Sequence, residues 1–127
     1  MKTKGWGMSL RAYQQTSARS ESPRNTEYRL FAQVTMALIS AQKLDRMDIV
    51  GRMDALDWNR RLWSVLGADC ASPTNQLPPE TRAGIISLAR WVNKYTTEVM
   101  TGQEDIQDLI DVNRMIMQGL SGEAVAA

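Results

Sequence analysis

Apolar positions along this chain recur at spacings of three and four, which places them on single faces of helices. No stretch alternates apolar and polar residues between turn signals, as half-buried strands would. Tyr28, Phe31, Val34, Leu38 and Ala41 share one helical face, and Ser22-Pro23 supplies a start signal. The serine hydroxyl accepts from free backbone N–H groups, and a proline at the first helical position gives up an N–H that has no helical acceptor. The spacing predicts a helix from Pro23 to about Lys43. A shorter amphipathic segment over residues 10–18 predicts a short helix before it.

Asp45 is placed to cap a second long helix reaching about Leu66, with Gly67 as its stop. Two apolar stripes run along it, one of Ile49, Met53, Leu56 and Trp63, the other of Ala55, Trp58, Leu62 and Val65. A helix apolar over so wide an arc is normally buried on more than one side. Gly51 lies inside it at a cost of about 1 kcal/mol relative to alanine. Residues 68–79 read as an irregular loop whose Pro78-Pro79 launches a third helix. Ile85, Leu88, Val92, Tyr95 and Val99 give that helix a single stripe, and Gly102 its stop. Ile106, Leu109, Ile110, Asn113, Ile116, Met117 and Leu120 define a last helix, closed by Gly119 or Gly122. The expected fold is all-α, a single-domain bundle of four long helices plus a short N-terminal one. Residues 121–127 are expected to be a frayed tail.

Composition acts mainly by exclusion. Hydrophobic residues make up 43% and charged residues 23% of the 127, as in an ordinary globular domain with one core. Lys and Arg number 15 against 14 Asp and Glu, a formal charge of +1, which lacks the broad basic footprint of a general nucleic-acid binder. The charge is unevenly spread. Lys2, Lys4, Arg11, Arg19 and Arg24 oppose only Glu21 in residues 1–25, and Glu104, Asp105, Asp108, Asp111 and Glu123 oppose only Arg114 in residues 101–127. Solvated helix ends explain this, the acids complementing a helix N-terminus; a charge-matched contact between the two ends is the other reading. The longest nearly apolar run, residues 31–41, is broken by Gln33, Thr35 and Ser40 and falls short of the roughly 20 residues a bilayer needs. Lys2 and Lys4 are followed by no apolar stretch of a secretory signal. The expected location is cytoplasmic, and a single cysteine, Cys70, fits a reducing compartment.

Signatures of catalysis are scarce. Histidine is absent, which takes away the commonest general base, the usual triad and the commonest metal ligand together. The eight glycines form neither a phosphate-cradling loop nor a dinucleotide fingerprint. Cys70 reads as a polar-loop cysteine with no histidine to activate it. Asp54 with Asp57, and Asp108 with Asp111, are carboxylates three residues apart that acid–base chemistry or a hard cation can use; solvated faces are the simpler reading. No catalytic, cofactor-binding or metal-binding residue is assigned. Asp57-Trp58-Asn59-Arg60-Arg61-Leu62-Trp63 is more pointed, because Trp and Arg interleave. Three readings stand: core with covering arginine stems, a protein-binding edge, and a stacking platform for single-stranded RNA. Trp58, Arg60 and Arg61 are the partner-binding candidates, with Trp63 placed inside beside Leu56. Trp91 beside Val92 reads similarly. Met47, Met53, Met100, Met115 and Met117 fall at helical positions, suited either to core filling or to an adaptable surface.

Several blocks are familiar in combination: Ala12-Tyr13, Ser22-Pro23-Arg24 with Glu27-Tyr28, Ala37-Leu38, Asn59 with Leu62-Trp63, Leu77-Pro78 with Arg82, and Ile85-Ile86 with Leu88 and Trp91-Val92. Together they resemble the bacterial flagellar protein FlaF family over roughly residues 12–118. Residues 1–8 look unlike the family start and are expected to be a disordered or non-native leader, leaving 9–120 as the family domain. The resemblance implies a small cytoplasmic helical protein needed for flagellin synthesis or export. It implies flagellin as the partner, met by a secretion chaperone or a regulator, alongside the flagellin-translation repressor FlbT. A post-transcriptional regulator acting on flagellin mRNA, directly or through that repressor, is the alternative. The residues leave the choice between monomer and homo-oligomer open.

Overall fold

The structure, a computed structural model, describes the backbone of residues 23–126 and the side chains of residues 27–119. Within that range the chain forms four helices and no strand: α1 (Pro23–Gln42), α2 (Ile49–Ala71), α3 (Pro79–Met100) and α4 (Gln107–Ala126). The short helix expected over residues 10–18 and the leader at 1–8 lie outside the described residues. The contacts fall into two compact units. Among the described residues, one is Val34–Val112 and the other joins residues 23–33 with 113–126.

Helix α1 begins at Pro23, as its start signal requires, and four of the five stripe residues, Phe31, Val34, Leu38 and Ala41, are buried. Tyr28 is not; it is exposed, one turn above the buried stretch. The helix ends where Lys43 and Leu44 donate their N–H groups to Ser40 and Ala41 in tight turns.

Asp45 does not cap α2. Its carboxylate accepts from the Met47 N–H at 2.8 Å and so holds the connecting turn. The cap is Asp48, whose Oδ1 accepts from the Gly51 N–H at 3.1 Å, and the helix starts at Ile49. At the other end α2 runs through Gly67 to Ala71. Gly67 is a packing residue: a Cβ added there would lie 2.9 Å from Cβ of Ala89 on α3. That is well inside ordinary carbon contact of roughly 3.5–4.0 Å. A missing side chain lets the two helices approach, so this glycine does not stop the helix. The extension also moves Cys70 out of the loop expected for it and into the helix, where it is fully buried. The α2 core face is Ala55, Leu56, Asn59, Leu62 and Trp63, whereas Ile49 and Val65, at the ends of the two stripes, are exposed.

The α2–α3 loop is a short, self-bonded turn. Ser72 caps α2 through its N–H to Asp69, Leu77 N–H donates to Asn75 Oδ1, and Arg82 Nε reaches back 2.9 Å to the Cys70 carbonyl. On α3, Val92, Tyr95 and Val99 are buried and Ile85 and Leu88 half-buried. Gly102, at φ +81°, closes the helix: its N–H bonds Val99 O while Gln103 N–H bonds Glu98 O. This left-handed cap is the one the sequence assigns to that glycine. Ile106, just before α4, is buried together with Leu109, Ile110 and Asn113 along the helix start, and the helix continues past both Gly119 and Gly122, so neither glycine closes it.

Candidate functional site

Helix α2 divides its aromatic residues by angle. Trp63 has 0% exposure and lies in the core with Leu56 at 1%; five residues earlier, Trp58 is only half-buried. The arginines between them are both drawn to one carboxylate: Arg61 Nε lies 2.8 Å from Asp57 Oδ2, and Arg60 Nη2 lies 3.5 Å from Asp57 Oδ1. Arg61 remains 60% exposed in its side chain. Such exposed pairs add little stability, but they hold the guanidinium groups along the helix and offset their charge.

Trp58 forms one wall of a groove between α1 and α2, with Leu44 at the other end. The floor is Ala37 and Ala41 from α1 and Gly51 and Ala55 from α2, none of which carries a side chain beyond Cβ. Each helix therefore offers two small residues four apart, which fall on one face. The groove encloses about 290 Å³, is open to solvent, and is almost entirely apolar apart from Ser40 and Asp54 on its rim. In the chain after Leu44, outside the groove lining, Met47 at 82% and Val50 at 72% are strongly exposed. Met36, on α1 one residue before Ala37, is also exposed.

A second, more polar cleft of about 470 Å³ lies where the α1–α2 and α3–α4 connections meet. It is bounded by Arg46 and Arg52 on one side and Glu104 and Asp105 on the other. Arg52 also donates to the Ala41 carbonyl at 3.3 Å, and Gln42 Nε2 donates to Gln107 Oε1 at 2.7 Å. These bonds make the cleft a seam between helix ends, held by polar contacts.

The paired carboxylates do not converge as pairs. Asp57 serves the two arginines, while Asp54 lines the groove. Asp108 Oδ2 accepts from the Tyr95 hydroxyl at 2.6 Å, and Asp111 Oδ1 accepts from Gln107 Nε2 at 2.9 Å. Tyr95 is buried, stacked on Trp91 at a centroid distance of 4.6 Å, and also donates toward the Asp105 carbonyl at 3.1 Å. Burial, the hydrogen bond to Asp108 and the charges of Asp108 and Glu104 all push its phenol well above the usual tyrosine range. The group is a latch between α3 and the start of α4. Among the described residues no three His, Cys, Asp or Glu side chains gather in a group able to hold a metal ion, and no helix is long and apolar enough to cross a membrane.

Of the three residues singled out from sequence, Trp58 meets the groove while Arg60 and Arg61 join Asp57 beside it. The small residues of the floor and Asp54 escaped that reading. Their signal was present as Ala37-x-x-x-Ala41 and Gly51-x-x-x-Ala55, but small residues at helical spacing mark a hollow only when the neighbouring helix brings its own against them. Methionine divides as well: Met47 and Met115 are exposed, and Met53, Met100 and Met117 are half-buried.

No curated protein and no solved structure matches the chain. The family model described as flagellar protein FlaF matches residues 9–120. That span takes in all the described core and the motifs from Ala12-Tyr13 to Trp91-Val92. With nearly the whole length matched, the chain belongs to the flagellar protein FlaF family.

Proposed function

We propose that this flagellar protein is a non-enzymatic cytoplasmic chaperone that binds flagellin before export and thereby regulates flagellin synthesis and filament assembly. The observation that carries the reading is the open apolar groove beside Trp58, in a chain whose family is flagellar. Flagellin awaiting polymerisation exposes apolar stripes on amphipathic helices, and a helix laid into a groove covers such a stripe. Binding of that kind withdraws flagellin from the free pool, which couples chaperoning to regulation.

The alternative is a post-transcriptional regulator acting on flagellin mRNA or through the repressor FlbT. Direct RNA contact is disfavoured by the pairing of Arg60 and Arg61 with Asp57, since a stacking platform depends on basic groups left for phosphate. Co-purification with flagellin and, separately, with flagellin leader RNA across a salt series separates the two. Retention of flagellin at moderate salt supports the chaperone; retention of RNA alone, lost as salt rises, supports the regulator.

A further inference from the structure

We infer that the polar cleft between the α1–α2 and α3–α4 connections is one half of a two-fold interface whose occupant is a second copy of this chain. Exposed apolar surface is concentrated at its edge. Of the eight large hydrophobic residues exposed among those described, Leu44, Met47, Ile49 and Val50 fall within residues 44–50, where the chain enters α2. Apolar residues scattered singly over a surface are ordinary, but a cluster rimmed by charge marks an interaction surface. Next to the cleft lies a hollow of about 300 Å³, and Arg46, Arg52, Gly102 and Glu104 line both. Ile49, at 57% exposure, and the half-buried Met53 and Met100 give the hollow its apolar side.

Charge selects the occupant. Arg46 and Arg52 stand on one side of the cleft and Glu104 and Asp105 on the other, and among the described residues no ion pair crosses it. A lining with two charges of each sign suits neither a phosphate backbone nor a uniformly acidic or basic segment. It is complementary to itself. A two-fold contact brings the same patch together from both copies. With the axis running along the cleft, the basic side of each copy turns onto the acidic side of the other, so opposite charges meet and like charges stay apart. Ile49 and its apolar neighbours supply the affinity, since exposed ion pairs add little. The charges fix the register and turn away other partners.

The test is sedimentation equilibrium of the full chain over a range of concentrations, for the parent and three variants. Arg46→Glu and Glu104→Lys each set like charges opposite one another in the two-fold contact. Ile49→Asp puts a carboxylate into its apolar part, at the first position of α2, where an acid suits the helix dipole. All three side chains are exposed, so each variant is expected to keep the thermal melt of the parent. The parent is expected to pass from monomer to dimer as concentration rises, and each variant to raise the dissociation constant at least roughly tenfold. An equimolar mixture of the Arg46→Glu and Glu104→Lys chains is expected to regain the dimerisation of the parent, because the exchanged charges again face their opposites; a folding defect gives no such rescue. A parent that stays monomeric at every concentration overturns the inference. A dimer that all three variants leave unchanged places the contact elsewhere and overturns it too, as does a mixture that associates no better than its components.

Discussion

Trp63 and Trp58 lie five residues apart on one helix, yet substitution at the two is expected to read out in different experiments. Removing the fully buried Trp63 side chain leaves a cavity, so Trp63→Ala should lower unfolding free energy by roughly 3–5 kcal/mol in denaturant titration. Trp58→Ala, at the half-buried groove wall, should cost the fold far less and weaken flagellin capture by about 2 kcal/mol. If Trp58→Ala unfolds the protein, the residue belongs to the core and the groove loses its wall. Tyr95 supplies a pH test. Its phenol is raised above the ordinary value near 10, so in strong alkali the unfolded chain loses this proton while the folded chain keeps it. The stabilisation is complete below about pH 10 and is lost as pH rises beyond it. Tyrosinate absorbance should therefore show one of the three tyrosines ionising only as the protein unfolds. Tyr95→Phe should remove that component, flatten the alkaline loss, and cost about 1–3 kcal/mol near neutrality through the bond to Asp108.

Helix identity was legible in the chain because each stripe keeps a period near 3.6 over three turns or more; helix ends were legible only where the backbone itself dictates them. Pro23, Pro79 and Gly102 act through fixed or left-handed backbone geometry, and all three ends fall where those residues put them. Asp45 and Asp48 are chemically identical capping candidates, and only the turn between them decides which one meets a free N–H. Asp48→Ala should therefore destabilise by about 1 kcal/mol as a lost cap. Gly67 misled because a glycine inside a helix is ambiguous until its neighbour is known. Its neighbour is Ala89, whose Cβ is fixed to the backbone and has no way to swing aside. Gly67→Ala should accordingly lower the melting temperature, by an overpacking cost of about 1–3 kcal/mol that exceeds the gain in helix propensity. Gly51→Ala should cost less, since the nearest atom to its new Cβ is the far end of the Leu44 side chain.

At the scale of the whole molecule, the family and the helical class were readable from scattered motifs and periodicity. The groove was not, because it arises from two helices whose small residues signify nothing until they are set side by side. Ala37 and Ala41 lie ten or more residues from Gly51 and Ala55 along the chain, and only the turn held by Asp45 brings the two pairs together. The account rests on that hollow serving flagellin, and calorimetric titration of unpolymerised flagellin into the protein, at low and at physiological salt, tests it most directly. Apolar helix packing is not screened, so the account predicts micromolar or tighter binding that largely survives the higher salt. Absence of flagellin binding, with steeply salt-dependent binding to the flagellin leader RNA in the parallel titration, would contradict it.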